Sequence, residues 1–212
     1  MKSAQAESRV EIPACQPVQL MQKNASELCL QWDGWMLNDE DKCLNTSQFL
    51  EEAQSCAEKM LLEHVAGPLL IVIDDELLSD KFWFEQLLDR LLKIHFSWRN
   101  LIVLVKDWPR HNDIAKANQS IYWLRSCQVQ VWLQSLHMPS RSQLESVLVD
   151  AVVVDAFSRY DDCLAKADIQ THVDELSDDN ATVILLNPPA SFLNDDDISP
   201  LLGVLTSSND SR

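Results

Sequence analysis

The stretch LLIVIDDELLSD, residues 69–80, runs five apolar residues straight into two aspartates and a glutamate, and an amphipathic segment follows. An unbroken, partly β-branched apolar run suits a strand buried on both faces, as in a parallel sheet. Polar residues then begin where the strand leaves the core. The adjacent pair Asp74 and Asp75 also offers two oxygen ligands of the kind a hard cation such as Mg²⁺ takes. The stretch therefore poses a question of fold and a question of chemistry together.

Reading outward, the pattern repeats toward the C-terminus. LLIVID (69–74) precedes the helical pattern of residues 79–95, and LIVLVKD (101–107) precedes that of 112–127. VQVWLQSL (129–136) precedes 140–149, AVVVDAF (151–157) precedes 160–176, and TVILLN (182–187) precedes a last segment, 196–208. Strands alternating with helices over short links predict an α/β fold with right-handed crossovers. The expected form is a doubly wound, mainly parallel sheet of five or six strands with helices on both faces, residues 27–32 giving the sixth. Upstream, residues 46–64 have helical spacing, with Phe49, Leu50, Ala53, Ala57, Met60 and Leu61 on one side and Gly67-Pro68 as the stop. Residues 1–65 are expected to be an N-terminal arm and helical extension, 66–206 the α/β domain, and 207–212 a frayed tail. Whether residues 1–65 also join the sheet is left open.

Composition narrows the function classes. The 212 residues carry 17 Lys+Arg against 33 Asp+Glu, a formal charge of −16. Such a surface repels phosphate backbones and anionic lipid, so neither nucleic acid nor membrane is expected as a partner. No run reaches the roughly 18 apolar residues of a membrane span, and the N-terminus lacks the apolar core of a signal peptide. The expected location is the cytoplasm. The six cysteines form no CxxC pair and show no zinc-ligand spacing with histidine. Reduced thiols are the expectation for a cytosolic chain, and no cofactor is expected.

In an open α/β sheet, ligands bind at the C-terminal ends of the strands. Those ends carry Asp74 and Asp75, Asp107, Ser135 and His137, Asp155, and Asn187. The order of these groups resembles a response-regulator receiver domain, from an acidic pair after the first strand to "HMP" after the third and "NPP" after the fifth. That resemblance puts Ser135 where the family has its phospho-accepting aspartate and Asn187 where it has a lysine. Asp155 or Ala156 then falls at its hydroxyl position. A serine forms no acyl phosphate, Asn187 lacks the charge that pairs with a phosphoryl oxygen, and Asp155 repels one. The resemblance thus implies a pseudo-receiver that is not phosphorylated, with a vestigial site of Asp74, Asp75, Ser135, Asp155 and Asn187.

LLIVIDDE also resembles a Walker B strand of a P-loop ATPase. Yet no GxxxxGK[ST] lies upstream, and the chain has only three glycines. A phosphate loop needs free backbone N–H groups, so this resemblance implies an ATPase-like scaffold without its phosphate loop. "NPPASF" resembles the motif of amino-methyltransferases but has no glycine-rich cofactor loop with it. His137 lies near Ser135 without a visible oxyanion loop. "NDDDISP" (194–200) lacks EF-hand spacing.

The resulting expectation is a non-catalytic regulatory or scaffolding protein, bacterial in type, that works by protein–protein contact. A basic protein or a second copy of the chain is the expected partner. Trp83, Trp98 and Trp108 are the interface candidates, because aromatics bury large area at low entropic cost; packing of the Trp83 helix on the sheet is the competing reading. The alternative is a Mg²⁺-dependent phosphoryl-transfer or hydrolytic enzyme using Asp74, Asp75 and Asp155.

Overall fold

A computed structural model describes residues 15–24, 27–38, 46–106, 114–135, 149–154, 182–186 and 202–207. The strands are β1 (Cys15–Asn24), β2 (Glu27–Leu37), β3 (Leu69–Ile73), β4 (Leu101–Val105), β5 (Gln130–Ser135), β6 (Ala151–Val154), β7 (Thr182–Leu186) and β8 (Leu202–Ser207). The helices are α1 (Thr46–Leu62), α2 (Asp75–Leu78), α3 (Lys81–Lys93) and α4 (Ile114–Ser126), with a 3₁₀ turn at Trp98–Asn100.

The five expected parallel strands are β3 to β7, and the sixth is β2, so the chain is α/β with a mainly parallel sheet as expected. The doubly wound form is corrected. The strands follow one another in sequence order, and the sheet closes into a barrel. Pairing is parallel from β2 through β8, while β1 lies antiparallel to both β2 and β8. An open doubly wound sheet needs a reversal of strand order, and there is none.

Alternation along each strand sorts the core into two layers. Val18, Met36, Leu70, Val72, Ile102, Leu104, Trp132, Ala151, Val153, Ile184 and Leu205 form one buried cluster inside the barrel. Leu69, Ile71, Ile73, Leu101, Val103, Val105, Val131 and Leu133 point the other way and pack under α1, α3 and α4. Both faces are buried, the inner against the opposite wall and the outer under helices. That is why the runs read as continuous apolar stretches.

β1 and β8 depart furthest from the sequence expectation of a loose arm and a terminal segment. Pro17 lies within β1, and among the described residues β8 pairs with Val18–Gln22, which puts Pro17 next to that two-sided ladder rather than inside it. On the outer side, a disulfide joins Cys15 to Cys56 of α1 across 41 residues of chain. This corrects the expectation of reduced thiols for that pair. Closing a loop of that length is worth about 4 kcal/mol in the chain-entropy account.

α1 buries Phe49, Leu50, Ala53, Cys56, Ala57 and Met60, whereas Leu61, expected on that face, is 42% exposed. The helices α1, α3 and α4 end alike. His64, His95 and Gln128 take positive φ of 55°, 62° and 65°. The following amides of Val65, Phe96 and Val129 donate to the carbonyls of Met60, Leu91 and Leu124. These are Schellman closures with a side chain where glycine is usual. Gly67 is spent elsewhere: a Cβ there would lie 1.4 Å from the Asp33 carbonyl oxygen, because the α1–β3 link presses on β2.

Two predictions follow from this backbone. Gly67→Ala forces β2 and the link apart and destabilises the protein by about 3 kcal/mol; an unchanged melting temperature contradicts the close approach. His95→Gly relieves the left-handed backbone and stabilises by about 1 kcal/mol in denaturant unfolding; a loss of stability contradicts the closure geometry.

Candidate functional site

The C-terminal ends of the parallel strands share one mouth of the barrel, where βα loops place binding groups in barrels of this kind. A cavity of about 340 Å³ opens at the β3–β4 part of that mouth. Its lining includes Thr46 and Phe49 from the start of α1, Asp74, Glu76 and Asp80 after β3, and Lys106 after β4.

The acidic cluster has a local structural cause. Asp74 Oδ1 accepts from the Leu77 amide at 2.8 Å, which caps the start of α2. Asp80 Oδ1 accepts from the Trp83 amide at 3.0 Å and caps α3. Each carboxylate satisfies an amide that its helix leaves without an internal partner and stands at the positive end of that helix. Glu76 is exposed, and among the described residues its carboxylate caps no helix. Asp75 is the first residue of α2.

Lys106 arrives through the β ladder. Its amide donates to the Ile73 carbonyl at 2.8 Å, one step beyond the Ile73–Val105 pair. This register brings the lysine backbone alongside the residue that precedes Asp74. Among the described residues the Lys106 side chain lines the cavity without an ion pair. The sequence LIVLVKD shows this lysine at a strand end, next to Asp107.

The other expected site residues are spread around the mouth. Ser135 ends β5 and is paired in register with Val154 of β6. Asp155 and Asn187 follow the last residues of β6 and β7 and lie outside the described residues, as do Asp107 and His137. β3 and β6 are three strand spacings apart, about 14 Å along the wall. Among the described residues no group of three or more His, Cys, Asp or Glu side chains is placed to hold a metal ion. Those residues do not fit a divalent-cation site by themselves.

The tryptophans divide. Trp83 is 1% exposed, donates from Nε1 to the Thr46 carbonyl at 3.3 Å, and meets Phe84 edge-on at 4.8 Å. It ties the start of α1, and so one wall of the cavity, to α3; the packing reading holds for it. Trp98 is half-buried and donates to the Leu88 carbonyl at 3.3 Å. Trp108 lies outside the described residues. No helix among the described residues is long and apolar enough to cross a membrane.

No protein-family model matches the sequence, and no curated protein matches it. Solved structures do match. Klebsiella pneumoniae BlrP1, in a calcium/cy-diGMP complex, superposes with a TM-score of 0.69 at 14% identity, covering 92% of this chain and 54% of that one. The chain thus spans about half of BlrP1. The PaMucR phosphodiesterase in its c-di-GMP complex gives 0.65 at 12% identity, covering 90% and 89%. The EAL domain of Mycobacterium smegmatis DcpA gives 0.64 at 10% identity, covering 86% and 82%.

These likenesses overturn both the receiver and the P-loop resemblance. Short strand-end motifs are shared by unrelated α/β folds, whereas strand order and closure are not. The inference of a non-catalytic pseudo-receiver falls with them. The structural neighbours include a phosphodiesterase rather than a receiver. The fold of this chain is that of the EAL domains.

Proposed function

We propose that the C-terminal mouth binds a cyclic dinucleotide and that the chain hydrolyses one of its phosphodiester bonds. The observation that carries this reading is Lys106. A chain of charge −16 repels a doubly anionic ligand; a cation at the mouth, clear of ion pairs among the described residues, supplies the local attraction such a ligand needs. The reading is supported by neighbours solved with cy-diGMP or c-di-GMP.

In this reading the Lys106 ammonium pairs with a non-bridging phosphate oxygen and stabilises the charge that grows there as water adds to phosphorus. Glu76 is the carboxylate at this cavity that no helix cap engages, and it takes the proton of the attacking water. The new P–O bond forms as one ester P–O bond breaks, the departing sugar oxygen takes up a proton, and the ring opens to a linear dinucleotide. Asp74 and Asp80 act indirectly, by holding α2 and α3 in place at the cavity wall. The divalent cation present in the BlrP1 complex has no matching group among the described residues, and no step depends on it.

Calorimetry with c-di-GMP, and chromatography of the same mixture with Mg²⁺ or Mn²⁺ added, test the two halves separately. Saturable binding is expected, weakened at least about tenfold by Lys106→Ala, the loss of one charge-assisted hydrogen bond. Equal affinity in the variant, or no binding by the wild-type chain, removes the ligand assignment. Conversion to the linear dinucleotide is expected, slowed by Glu76→Gln. Binding with the ring left intact removes the hydrolytic step.

A further inference from the structure

The Cys15–Cys56 bond joins two parts of the fold with different tasks. Cys15 is the first residue of β1, the strand that closes the barrel by pairing antiparallel with both β2 and β8. Cys56 lies on α1, the helix that carries Thr46 and Phe49 into the cavity wall. Their Cα atoms are 6.4 Å apart, within the span a disulfide bridges without backbone movement.

The position on β1 matters. Among the described residues β8 pairs with Val18–Gln22, whereas Cys15, Gln16 and Pro17 pair with β2. This end of the closing strand is the first to fray when nothing else holds it. The bond to α1 sits at that end. Access is also one-sided: Cys56 is fully buried, whereas Cys15 is half-buried. Of the two residues Cys15 is therefore the less enclosed side of the bond.

We propose that Cys15 and Cys56 form a thiol–disulfide latch, worked by exchange with a small-molecule thiol and its disulfide such as the glutathione couple, that sets how firmly the closing strand is held. In opening, a thiolate attacks the Cys15 sulfur, the Cys15–Cys56 bond breaks, and Cys56 leaves as a thiolate that takes up a proton. A second thiolate attacks the small-molecule sulfur of the mixed disulfide and releases Cys15 as a thiol. Two small thiols become one small disulfide as the protein disulfide becomes two thiols, so electrons balance. Closing is the reverse. The latch does not depend on the ligand assigned above.

The test equilibrates the full chain in glutathione buffers of fixed ratio, maps alkylated cysteines by peptide mass, and follows amide hydrogen exchange. Cys15 and Cys56 are expected to gain and lose alkylation together, as one two-electron couple. In the reduced form, amides at the start of β1 exchange at least about tenfold faster, while those of α4 are unchanged. Cys15→Ser shows the fast exchange in both buffers. Because that position is half-buried, the variant keeps the test open even where Cys56→Ser fails to fold. Independent titration of the two cysteines, free thiols in the fully oxidising buffer, or equal exchange of β1 in both states overturns the latch.

Discussion

Closure of the sheet by β1 is the constraint on which the remaining structure depends. β2 through β8 form a parallel series with two edges, and each edge would otherwise present unpaired amides and carbonyls. β1 satisfies both at once, one along Glu27–Leu37 and the other along Gly203–Ser207. Only with that strand in place do Val18 and Leu205 complete the inner layer with Leu70, Ile102 and Trp132. A closed wall then brings the strand C-termini around a single mouth, and the βα links carry the polar residues there.

The acids after β3 illustrate how one set of residues serves folding and still shapes a site. Asp74 and Asp80 are engaged by the amides of Leu77 and Trp83. Their first task is to start two helices, at Asp75 and Lys81, directly after a buried strand. By doing so they fix the floor beside Lys106, and Trp83 fixes the wall by holding Thr46 against α3. Electrostatically the cavity is a mixed site, one cation set among acids, which suits an anion placed at the lysine better than a bare metal held by carboxylates.

Much of the fold was legible in the residues. The runs LLIVI, LIVLV, AVVV and TVILL announced strands buried on both faces, and Phe49, Ala53, Ala57 and Met60 announced α1. Closure was not legible, because an inner face packed on the opposite wall and one packed on helices call for the same side chains. β1 falls where an arm was expected; its signal is the spacing of Val18 and Leu20, which pack toward the interior on either side of Gln19. β8 is short and carries Gly203, and it is defined more by its two neighbours than by its own residues. At the site, Asp74 also has a local task that its spacing carries: an aspartate three residues before an amide at a helix start is a cap signal. Lys106 stood in plain view at the end of its strand, but only the register with Ile73 makes it a neighbour of the acids.

The most direct measurement of closure is an isotope-edited NOE experiment across the seam. The barrel predicts cross-strand NOEs between β1 and β8, including the Leu20–Leu205 pair, together with those from β1 to β2. NOEs from β1 to β2 without any to β8 would leave the sheet open and would contradict the account.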